Sequence, residues 1–101
     1  MSKPYEIKFI DKSCLKEYQS LRGNKKELVN KGLARLRMRA KELGKPLSGS
    51  LQGCKELKFR SDGIRIIFRI VGSEIEIVEI IAIGKRDKER VFSTAVRRIQ
   101  R

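Results

Sequence analysis

The apolar positions of this chain follow two periods. Val29, Leu33, Leu36, Ala40 and Leu43 recur at alternating spacings of four and three, which places them on one face of a helix. Asn24, with Glu27 three residues later, resembles a capping box at its start; Gly44 stops it and Pro46 prevents its resumption. From Lys55 onward the period falls to two. Lys55–Ser61, Ile64–Val71 and Glu74–Ile83 read as three strands, with turns at Asp62–Gly63 and Gly72–Ser73. Upstream, Tyr5–Ile10 reads as a short strand. A short helix capped by Asp11 or Ser13 then carries Leu15, Tyr18 and Leu21 and ends at Arg22–Gly23. A terminal helix capped by Asp87 aligns Val91, Ala95 and Ile99. Residues 45–53 form a loop rich in Gly, Ser and Pro. The order is β-α-α-β-β-β-α, an α+β architecture with helices flanking a small antiparallel sheet. At 101 residues the chain, 1–101, is one domain.

Charge narrows the range of partners. The net charge is +13, and both halves are basic: 13 Lys/Arg against 5 Asp/Glu in residues 1–50, and 12 against 7 in residues 51–101. No single tail holds the excess, so the folded body is cationic and suited to a nucleic acid or an acidic protein. Lys31, Arg35, Arg39 and Lys41 make one face of the long helix basic, either as an RNA contact or as solvated surface. Cys14 and Cys54 have no CxxC spacing, and there is no histidine. They read as reduced thiols of a cytoplasmic protein rather than as zinc ligands. No apolar segment opens the chain as a secretion signal. Arg65, Arg69, Glu74, Glu76 and Glu79 interrupt the apolar stretch 64–83, which excludes a membrane span.

A two-residue Asp62–Gly63 turn pairs Ser61 with Ile64, Arg60 with Arg65, Lys58 with Ile67 and Glu56 with Arg69. Alternation then puts Leu57, Phe59, Ile64, Ile66, Phe68 and Ile70 on a core face. Glu56, Lys58, Arg60, Arg65 and Arg69 lie on the opposite face. Like charges facing each other destabilise a sheet, so this second face implies a bound anion, or else a plain polar surface. A two-residue turn in the next hairpin sends Glu79 to the core side. Either an Arg meets it there, or a bulge shifts the register.

Such a face suits RNA cleavage without a metal. The 2′-hydroxyl attacks the adjacent phosphate, a base takes its proton, cations stabilise the charge on phosphorus, and an acid assists the 5′-oxygen. Glu56 is the only carboxylate on the face, and the surrounding cations favour its charged, proton-accepting form. Lys58 and Arg65 are placed to hold phosphate oxygens. Metal-dependent nucleases cluster carboxylates instead, and no such cluster is legible.

The run CKELKFRSDGIRIIFRI, Cys54 to Ile70, followed by IAIGKRDKERVFSTAVRRI, Ile81 to Ile99, resembles the C-terminal half of RelE-type toxins in the RelE/ParE superfamily. Leu51-Gln52-Gly53 fits the family's loop, and the helical first half agrees in layout with weaker similarity. The resemblance implies a RelE-like fold and a cytoplasmic toxin of a type II toxin–antitoxin system. It also implies mRNA cleavage in the ribosomal A site without cofactor or metal, and inhibition by a cognate antitoxin. By position, the catalytic set is Glu56, Lys58, Arg65 and Arg86, the last in the GKR turn. Arg60, Arg69, Lys85, Phe92 and Arg39 are candidates for binding RNA. Two residues depart from RelE. Glu56 replaces a lysine, although related YoeB-type toxins use a glutamate on this strand. Phe92 replaces a tyrosine and stacks without donating a proton, which leaves the general acid open. Two other readings remain: a ParE-like gyrase inhibitor without chemistry, and a basic RNA- or ribosome-binding module.

Overall fold

In the computed structural model, residues 4–59, 63–72, 75–85 and 90–100 are described. The elements are β1 (Glu6–Phe9), α1 (Lys12–Gln19), α2 (Gly23–Arg39), β2 (Lys45–Pro46), a 3-10 turn (Gly49–Leu51), β3 (Lys55–Phe59), β4 (Ile64–Val71), β5 (Ile77–Lys85) and α3 (Arg90–Gln100). They form one sheet in the order β1-β5-β4-β3-β2. β1 runs parallel to β5, and the other neighbouring pairs are antiparallel. The expected element order holds, with β2 and the 3-10 turn added inside what read as a loop.

Asp11 caps α1: its Oδ1 accepts from the Cys14 N–H at 2.8 Å. The capping box expected for α2 does not form. Arg22 occupies the N-cap with no side-chain cap bond, so Asn24 already lies inside the first turn. Gly23 allows this early start, because only three residues separate the helices and the turn between them needs its φ of 57°. The predicted apolar face holds along α2, where Val29 and Leu36 are buried and Leu33 packs against them, but the helix ends at Arg39 with Ala40 as its C-cap, short of the expected stop at Gly44, and Leu43 joins the same cluster from the turn that follows. Gly32 lies on the same face, where a Cβ would collide with the Phe59 ring.

The β3–β4 hairpin pairs Phe59 with Ile64 and Lys58 with Arg65. Its loop is therefore four residues long, closed by the Gly63 N–H donating to the Phe59 carbonyl at 3.0 Å. The register differs by two from the Asp62–Gly63 turn expected: Glu56 faces Ile67, not Arg69, and Lys58 faces Arg65, not Ile67. A shift of two leaves every side chain on its original face. Leu57, Ile64, Ile66 and Phe68 thus form the expected core, beneath α1 and α2. Arg60 and the expected cap Asp87 lie outside the described residues.

Of the two alternatives for Glu79, the bulge is the one that occurs, and it takes Glu79 off the core side. The β4–β5 register shifts between Ile67 and Phe68, so Ile81 is the extra residue of a bulge. Beyond it, Glu79 pairs with Arg69, whose Nε lies 2.6 Å from its carboxylate. The bulge also turns both Ile81 and Ala82 toward α3, while Ile80 and Ile83 stay on the first face. The face opposite the core is therefore not the open cationic surface expected. Val91 and Ala95 of α3 cover Ile67, Ile81 and Ala82, with Leu51 and Cys54 completing a second apolar cluster. Arg98 fastens α3 to α1 through Glu17 at 2.8 Å and to β5 by donating to the Ile81 carbonyl at 2.8 Å. Cys14 and Cys54 are free thiols in clusters on opposite faces of the sheet. No described helix is long and apolar enough to cross a membrane.

Candidate active site

The uncovered part of the second face lies where β3 and β4 run beside the start of α3. Alternation along β3 directs Glu56 and Lys58 to this face, and pairing with Lys58 brings Arg65 beside them. Glu56 is only 4% exposed and is the one buried charged residue among those described. Its Oε2 accepts from Arg65 Nη1 at 2.6 Å, and its Oε1 lies 3.8 Å from Lys58 Nζ. Lys58 extends into solvent, whereas the Arg65 side chain is 12% exposed. The Arg65 guanidinium carbon lies 5.1 Å from the centroid of the Phe92 ring. Phe92 thus forms one wall of the site by cation–π contact.

A carboxylate taken this far out of water is stable only while paired, and removing one partner strands the other. The pair is also incompletely satisfied. Arg65 Nε is buried without a hydrogen-bond partner among the described residues. A guanidinium with a spare buried donor, beside an exposed ammonium and a buried carboxylate, is a set of groups able to bind an anion and to exchange a proton.

The structure gathers four of the expected residues here: Glu56, Lys58, Arg65 and Phe92. It disperses others. Arg69 is on the same face but engaged by Glu79. Arg39 is exposed on α2, over the other side of the sheet, and pairs with Glu42 at 2.9 Å. Lys85 ends β5 opposite Ile64, on the α1–α2 side. Arg86 and Arg60 lie outside the described residues. Sequence reasoning missed Arg90, which lines a cleft of about 330 Å³ with Glu17, Gly84, Lys85, Val91 and Thr94. Its signal was its position, two residues before Phe92 in a basic run. It also missed the Glu17–Arg98 clamp, which joins residues 81 apart and has no local pattern.

These features define a small basic α+β protein with a buried, cation-flanked carboxylate on one face of its sheet. No family model matches the chain. It is 30% identical over 90 residues to the mRNA interferase toxin RelE of Escherichia coli K12, covering 89% of this chain and 93% of that protein. The mRNA interferase RelE of Shigella flexneri matches to the same extent. Among solved structures, an arginine-substituted E. coli RelE in the free state superposes with a TM-score of 0.78 at 29% identity, covering 95% of this chain and 98% of that one. The same variant bound to a peptide of antitoxin RelB gives 0.65 at 28%, covering 91% and 94%. The chain belongs to the RelE family of mRNA interferase toxins.

Proposed function

We propose that this protein is the toxin of a type II toxin–antitoxin pair and cleaves mRNA in the ribosomal A site, in the cytoplasm, without a metal ion. One observation carries the chemistry: a buried carboxylate, Glu56, held by Arg65 and flanked by Lys58. Glu56 takes the proton of the ribose 2′-hydroxyl as that oxygen attacks the adjacent phosphorus. Arg65 and Lys58 hold the phosphate oxygens as charge builds on them, supplying the stabilisation a metal ion provides elsewhere. The P–O5′ bond breaks, leaving a 2′,3′-cyclic phosphate and a 5′-hydroxyl. Arg86, from the GKR turn, assists the departing oxygen. Phe92 positions Arg65 and stacks against a base of the message.

At rest the site is self-neutralised, so chemistry begins only when a phosphate displaces Glu56 from Arg65. This fits a nuclease that needs the ribosome to present a bent strand. It also fits the family membership and a net charge of +13. A cognate antitoxin is the second partner, as RelB is for E. coli RelE.

Primer extension on a message in a bacterial translation extract tests the reading. The protein should generate new 5′ ends at A-site codons, and Glu56→Ala should abolish them. Uninterrupted translation with intact message would reject it, and gyrase supercoiling would then be measured.

A further inference from the structure

One edge of β5 outruns its neighbour. The ladder with β1 ends at the Phe9–Ile80 pair, closed by the Ile10 N–H donating to the Ile80 carbonyl at 2.8 Å, while β5 continues to Lys85. Residues 81–85 therefore have β4 on one side and, among the described residues, no strand on the other. Ile81 and Ile83 are nonetheless buried, and a buried backbone group left without a partner is costly. Two side chains fill the gap. Arg98 Nη1 donates to the Ile81 carbonyl at 2.8 Å, and Glu17 Oε1 accepts from the Ile83 N–H at 3.2 Å. The two are joined to each other at 2.8 Å. A residue of a parallel neighbouring strand makes the same two bonds, donating to one carbonyl and accepting from the N–H two residues on. Arg98 of α3 and Glu17 of α1 stand in for that residue with their side chains.

The substitute lies where the reaction needs a fixed strand. Glu17 meets β5 two residues before its end at Lys85, and Arg86 is the next residue of the chain. Arg98 also lies 3.8 Å from Asp11, the cap of α1, so the clamp is tied to α1 at two points. We infer that Glu17 is a positioning residue for RNA cleavage: with Arg98 it fixes the end of β5, and so the point from which Arg86 reaches the departing 5′-oxygen. The inference rests on the cleavage reading and on the role given there to Arg86. Glu17 acts through the strand and not on the message. A neutral acceptor would satisfy the Ile83 N–H alone; the carboxylate also holds Arg98 against Ile81.

Two measurements on the full chain test this. Amide exchange followed by NMR should show Ile83 losing protection in Glu17→Ala and keeping most of it in Glu17→Gln, which retains an acceptor. On programmed ribosomes, Glu17→Ala should lower kcat by roughly tenfold to a hundredfold with KM nearly unchanged, the effect of misplacing a reacting group by about 1 Å. Glu17→Gln should fall between it and the parent. Glu42→Ala removes a carboxylate from an exposed pair and should cleave as the parent does, which separates positioning from the change in net charge. The deciding variant is Glu17→Ala/Arg86→Ala. It should cleave as slowly as Arg86→Ala alone, to within about twofold, because Glu17 acts through Arg86. Losses that multiply would mean general support of the fold and overturn the inference. So would parental kcat, or unchanged Ile83 exchange, in Glu17→Ala. Should Glu17→Ala fail to fold, Glu17→Gln takes its place in the same cycle. A parent that leaves the message intact fails differently: the cleavage reading falls, and the role of Glu17 with it, even where Ile83 exchange behaves as expected.

Discussion

The two faces of the sheet are built on different principles. Beneath α1 and α2, Leu57, Ile66, Phe68, Val78 and Ile80 make an entirely apolar layer, stable through area removed from water. Beneath α3, Ile67, Ile81 and Ala82 share the face with Glu56, Arg65, Arg69 and Glu79, which remain in place only because each charge has a partner. The first face can be scored by burial alone. The second holds ion pairs largely out of water, at a desolvation cost that a purely apolar face would avoid.

The largest effect should come from the apolar face. Phe68→Ala removes a fully buried ring and should cost about 3–5 kcal/mol in chemical denaturation. A loss below ~1 kcal/mol would mean that this face is not the main support. On the charged face, Arg65→Met should cost about 3 kcal/mol by stranding Glu56. The double variant Glu56→Leu/Arg65→Met should recover most of that loss, since no charge is left buried. If the double variant is as unstable as the single, the pair is not coupled as its 2.6 Å contact indicates. For catalysis, Arg65→Ala and Arg86→Ala should each lower cleavage by roughly 2–4 kcal/mol of transition-state stabilisation. Cleavage at the parental rate by either variant removes that residue from the mechanism. The effect that is smallest at neutral pH, where it vanishes, concerns a thiol. Burial pushes the Cys14 thiol up to about 12 from an ordinary 9.0, with Glu17 adding to the rise. The folded state then keeps a proton that the unfolded state releases. Cys14 should lower stability by up to ~1.4 kcal/mol per pH unit as pH climbs from 9 toward 12, with no effect below 9. Cys14→Ala should unfold with a flatter alkaline profile; an identical profile would show that the thiol does not titrate on unfolding.

Much of this division was legible in the sequence. The helical period from Val29 to Leu43 identified one covering layer. The alternation in β3 and β4 sorted Leu57, Ile66 and Phe68 from Glu56, Lys58 and Arg65, and survived a register error because that error was an even number. What was misread is the cover on the charged face. The runs Ile66-Ile67-Phe68 and Ile80-Ile81-Ala82-Ile83 leave no polar gap, the mark of strands buried on both sides. The alternating charges of Glu56, Lys58, Arg65 and Arg69 on the same strands mask that signal. The Glu56–Arg65 contact was reached only as a shared face, since the four-residue loop that sets its register leaves no clear mark in the sequence. Gly23 opening α2 displaced the Asn24 cap, because the connection from α1 is too short for a regular entry.

The N-terminal strand has a consequence for assembly. Glu6 on β1 must wait for Ile77 on β5, and Glu17 must wait for Arg98, 81 residues further along. Contacts this distant in sequence form late and slowly. While the polypeptide is being synthesised, α1 and β1 emerge with no strand to join, and Phe92 has not yet reached Arg65. The sheet therefore closes, and Glu56, Arg65 and Phe92 come together, only once nearly the whole chain is available to fold.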